Sequence, residues 1–197
     1  MSGDGGRQLD VLTGRSLIEG RRVLIDGGVF VSRDGTRTIV DASFDRQPKL
    51  NECVEGIVQK MRVVPSIALR IVVDEARKAM PVNDEHVESV RKNWPKVDSY
   101  PLHLFFSQKR EGDGQEIGGG SADHQALLVG LTIERYYKEV YPITSWKGAS
   151  RRLFGTMPKV AILKDPKDGH AVVSFMNSDD SVYMFDPKKE GLGFTKL

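Results

Sequence analysis

The sequence predicts an α+β fold in which a helical part packs on a C-terminal antiparallel sheet. Apolar residues at helical spacing fill the middle of the chain, whereas short β-rich runs separated by turn signals fill its last third. No internal repeat interrupts that order. The 197 residues suit one domain over 21–197, preceded by a polar, glycine-bearing leader over 1–20 expected to be flexible.

Val23-Leu24-Ile25 reads as a strand and Gly27-Gly28 as a turn. Val29-Phe30-Val31 and Thr38-Ile39-Val40 flank Asp34-Gly35, a hairpin signal. After Pro48, Val54, Ile57, Val58 and Met61 repeat with helical period. Asn51 is the expected N-cap and Pro65 the expected stop. A second helix is predicted from Ser66 to about Met80 and a third from Asp84 to about Trp94. Leu102, Leu104, Phe105 and Phe106 read as a buried strand.

From Gln108 to Ala122 glycine and polar residues dominate, which predicts a mobile loop. Ser121 or Asp123 then caps a long helix through Leu127, Leu131, Tyr137 and Val140, ending near Pro142. Lys159–Lys164, His170–Met176 and Ser181–Phe185 are three strands. Asp165–Gly169 and Asn177–Asp180 are the turns between them.

Composition narrows the function. A hydrophobic fraction of 39% and a charged fraction of 28% are those of an ordinary globular domain. A net charge of +2, with no sustained basic cluster, argues against a nucleic-acid partner. No apolar run is long enough for a membrane span, and no signal peptide is expected at the start. One cysteine cannot form an intrachain disulfide, which suits a reducing setting. The 4 histidines show no ligand spacing, so no metal and no cofactor is expected. His86 and His103 read as structural residues. Trp94, Trp146 and the Tyr136-Tyr137 pair read as core or groove lining.

Three residues form a candidate catalytic set. Asn51 as cap would put Cys53 at about the second position of its helix. Free N–H groups and the helix dipole there favour a thiolate, the species that attacks a carbonyl. In the last hairpin, a turn centred between Ser178 and Asp179 sets His170 opposite Pro187 and Ala171 opposite Asp186. The carboxylate then lies within reach of the imidazole and can orient it. An oxyanion would take the Cys53 N–H, with Gln47 or, second, Asn51 as side-chain donor.

The order Cys53, His170, Asp186 resembles papain-like cysteine proteases. The phrase His170-Ala171-Val172 … Phe185-Asp186-Pro187-Lys188-Lys189-Glu190-Gly191 is most similar to the YopT-type effector proteases of bacteria. That resemblance implies a papain-like fold and a monomeric cysteine-dependent hydrolase. Cys53 would be the nucleophile, His170 the base and acid, and Asp186 the orienting group. It also implies a host protein as substrate, and secretion into host cytoplasm without a cleaved signal peptide; the alternative is a cytoplasmic protein.

The chain departs from that pattern where Asn51-Glu52 stand in place of a small residue before the cysteine. A carboxylate beside the sulfur would oppose thiolate formation. Two other readings therefore stand beside the protease: a non-catalytic interaction domain on the same scaffold, and a glutamine deamidase or acyltransferase using the same triad.

Overall fold

The structure, a computed structural model, describes residues 10–11, 29–33, 36–63, 65–95, 99–109, 112, 114, 116–140, 160–164, 170–176, 181–191 and 193–196. Among the described residues are four α-helices, α1 (Pro48–Lys60), α2 (Pro65–Ala79), α3 (Asp84–Asn93) and α4 (Ala122–Glu139), with strands before α1, between α3 and α4, and after α4. The α+β class stands. The larger sheet has the order β1-β7-β8-β9-β10, from Asp10–Val11, Val160–Lys164, Ala171–Met176, Val182–Phe185 and Phe194–Lys196, with every neighbouring pair antiparallel.

A second sheet joins β2 (Val29–Arg33), β3 (Thr36–Asp41) and β4 (Tyr100–Pro101). The β2–β3 pair is the hairpin expected around Asp34-Gly35, whereas β3 and β4 run parallel, Val40 facing Tyr100. A short ladder pairs β5 (Gln108–Lys109) with β6 (Glu116–Ile117). Asp10–Val11, within the expected leader, pairs with β7. The strand over 23–25, the turn at 27–28, Trp146 and Pro142 fall outside the described residues.

α4 is the centre of the molecule. It packs on α1, α2, β7 and β8, so every residue from Asp123 to Ile133 is buried, including the polar ones. An all-round buried helix must satisfy its polar side chains internally. Gln125 donates to the carbonyl of Met80 at the end of α2, and Thr132 donates to Leu128 O within α4. Truncating Leu128, which is fully buried, would cost about 2–5 kcal/mol.

Four expectations are corrected. Pro65 opens α2 instead of closing α1: a proline lacks the N–H that the first helical turn leaves unused. Residues Leu102–Phe105 form a tight 3-10 turn, not a strand, and their apolar side chains serve the core from that turn. Trp94 is exposed at the end of α3, while Tyr136 and Tyr137 are buried as expected.

The glycine run is the fourth correction. Gly118, Gly119 and Gly120 are buried, not a mobile loop. Gly118 and Gly119 hold φ of 114° and 106°, and an added Cβ would come within 2.3 Å of Phe106 O and 2.6 Å of Pro81 O respectively. Composition marked a loop because glycine does not distinguish freedom from close approach. Hydrogen bonds pin the run: Asn83 N–H to Gly120 O, Gly120 N–H to Pro81 O, and the Asn83 amide to Gly118 O.

Candidate functional site

The start of β8, the end of β9 and the first turn of α4 meet at one corner. His170 and Asp186 are each 8% exposed, and His170 Nε2 lies 2.8 Å from Asp186 Oδ1. The pairing of the hairpin explains the meeting, but not through the expected register. Val173 faces Phe185 and Met176 faces Val182, which centres the hairpin on Asp179 and slips it by one residue. In a sheet, a one-residue slip exchanges faces. The expected register would have set the two side chains on opposite faces. Continued past its last pair, the observed one sets them on the same face as diagonal neighbours.

Asp186 is held as firmly as it holds. Its Oδ1 also accepts the N–H of Lys188, its own N–H donates to Gly193 O at 2.9 Å, and its carbonyl accepts from Lys189. Gly193 adopts φ 67°, and a Cβ there would meet Asp186 O at 2.7 Å. From α2, the Arg77 guanidinium donates to Gly191 O and Lys189 O, tying the 186–193 turn to the helices. A carboxylate accepting from Nε2–H leaves Nδ1 as the basic nitrogen of the neutral ring. Such a pair can serve as a positioned base, and equally as a clasp between the two strand ends.

Asp123 completes this corner, and nothing in the sequence marked it for the role. It was expected at most as a helix cap. In the structure Ser121 is the cap, and the Asp123 carboxylate accepts the N–H of Ala171, one residue from His170. The helix start that adjoins the His170–Asp186 pair is therefore that of α4, not that of α1.

Cys53 sits differently from the expectation. α1 begins at Pro48 with Gln47 as its cap, and Asn51 N–H already bonds Gln47 O. Cys53, two residues further on, has its own N–H inside the helical ladder and offers no free oxyanion donor. Its thiol is half-buried against the core. Burial, then the nearby Glu75 carboxylate, push the thiol pKa up to about 11, and Lys60 offsets only part of this. The opposing carboxylate is Glu75 of α2, not the neighbouring Glu52, which is exposed.

The two candidate oxyanion donors are engaged elsewhere. Gln47 is 1% exposed; its amide donates to Asp41 O and its carbonyl accepts from His103 N–H. Asn51 accepts from Arg135 and donates to Glu55. Arg135 also lies over the Phe44 ring at 4.9 Å. Arg135 is twelve residues beyond Asp123 on α4, about 18 Å of axis at about 1.5 Å per residue. The start of α1 and the His170 corner thus attach to opposite ends of α4.

Among the described residues, no group of three His, Cys, Asp or Glu side chains is placed to hold a metal ion. No described helix is long and apolar enough to cross a membrane. No protein-family model matches the chain, and neither a curated protein nor a solved structure matches it.

Proposed function

We propose that this chain is a protein-interaction domain that does not rely on Cys53 for catalysis, on a scaffold of papain-like type. The observation that carries the reading is the environment of Cys53. A thiol held near pKa 11 is almost wholly protonated at neutral pH, and the thiol form is a poor nucleophile. The scaffold assignment rests on a central buried helix whose start adjoins a His–Asp pair on an antiparallel sheet. The partner implied by the YopT resemblance is a host protein. Exposed apolar side chains such as Val63 and Ile67, at the junction of α1 and α2, are the kind of surface a protein partner covers.

The His170–Asp186 bond favours a second reading, a Cys53-dependent hydrolase, deamidase or acyltransferase. In that reading the thiol must leave the neighbourhood of Glu75 to reach the imidazole. An acyl electrophile that labels papain-type cysteines separates the two at pH 7. The interaction domain labels more slowly than a small free thiol, with no change in His170→Ala. Rapid labelling of Cys53 that is lost in His170→Ala would overturn the proposal in favour of the enzyme.

A further inference from the structure

The capping of α4 is unusual in the residue that completes it. Ser121 Oγ accepts the N–H of His124, and His124 Nδ1 accepts the N–H of Ser121 at 3.0 Å. The reciprocal position is commonly filled by Glu or Gln. Here an imidazole fills it, and the acceptor nitrogen is one that a proton would occupy. A protonated ring carries hydrogens on both nitrogens and accepts nothing. Proton and cap bond are mutually exclusive.

The ring has no route to protonation in place. His124 is fully buried, stacked on Phe105 with centroids 4.0 Å apart and planes 22° apart. Its Nδ1 acceptor role puts the proton of the neutral ring on Nε2, which has no hydrogen-bond partner among the described residues. The groups packed around it offer an imidazolium no relief. α3 presents the Arg91 guanidinium, itself bonded to Glu88. The 102–105 turn presents Phe105 and, two residues away, His103, while His86 is directed to Leu104 O. The end of α2 brings Met80, whose sulfur lies beside Gly120. On α4 itself, the Asp123 carboxylate is engaged by Ala171 N–H. Burial and Arg91 hold the imidazole down at about 3, in agreement with that geometry.

We propose that His124 is an acid-operated latch. Uptake of one proton releases the first turn of α4, with the Gly118–Gly120 passage, from Pro81, Asn83 and the start of β8. The first turn is joined to those neighbours by Gly120 and by Asp123, so its release exposes the His170–Asp186 corner while α1 stays folded. The closed state binds no proton at this ring and the open state does. Opening therefore becomes more favourable as pH falls below the ordinary histidine value, about 6.5.

Amide hydrogen exchange on the full chain tests this between pH 6.5 and 5. The opening constant at Ser121–Gln125, corrected for intrinsic exchange, should rise about tenfold per pH unit below pH 6, with α1 amides unchanged. His124→Gln keeps a side chain able to accept from Ser121 and cannot titrate, so its opening constant should be flat. A constant independent of pH in the wild type, or the same rise in His124→Gln, overturns the latch. If His124→Gln does not fold, the wild-type contrast decides alone: a rise confined to the start of α4 supports the latch, and an equal rise in α1 overturns it.

Discussion

The carboxylate of Asp123 accepts the backbone N–H of Ala171, and that contact fixes which helix start faces the His170–Asp186 pair. It joins the central helix to the sheet at the residue following His170. Cys53, the chain's one thiol, belongs to the side of α1 that meets α2, where Glu75 and Lys60 set its charge environment.

The clasp has a measurable coupling. Urea denaturation of His170→Ala, Asp186→Ala and the double variant should give an interaction energy of about 1–3 kcal/mol, as for a largely buried charged hydrogen bond. Asp186→Ala should cost more than His170→Ala, because it also strips the acceptor from Lys188 N–H. Additive losses would show that the 2.8 Å contact contributes nothing to stability.

Two glycines should respond with opposite signs. Gly119→Ala forces a side chain at φ 106° into Pro81 O and the Asn83 side chain, and should destabilise by about 2 kcal/mol or more. Gly56→Ala, exposed in α1 with nothing within 4 Å, should stabilise by up to about 1 kcal/mol. Thermal melts of both variants check the pair.

Gln47 is predicted to be a structural bracket between β3 and the 102–105 turn. Gln47→Ala leaves Asp41 O and His103 N–H without their partner and should cost about 1–3 kcal/mol in urea denaturation. A stability unchanged from wild type would mean that the amide is not held there in solution.

The sequence exposes its periodic parts best. Val54, Ile57, Val58 and Met61 announce α1 because burial imposes that period directly, and the turn chemistry of Asp34-Gly35 announces the β2–β3 hairpin. Boundaries were harder. Asn51 is a good cap by residue type, yet Pro48 starts the helix a turn earlier, and this moves Cys53 from the dipole end into the ladder. Hairpin spacing makes the nearness of His170 and Asp186 along the strands legible, but the register read from it is one residue off and sets the two side chains on opposite faces. Asp123–Ala171 and Cys53–Glu75 were not legible. Each joins elements far apart in sequence, and no local pattern encodes how α4 sits on β8 or α2 on α1.

The rate of Cys53 alkylation as a function of pH reads the environment of the thiol. The fold holds the thiol above its ordinary range, so the protonated form is the one it favours. Stability from this group is complete below about pH 8.5 and is lost as pH rises through about 11. Alkylation at pH 8 should be at least tenfold slower than in the urea-unfolded chain, still climbing beyond pH 9 and unaltered by His170→Ala. A plateau with a midpoint below pH 8 that shifts when His170 is replaced would contradict it.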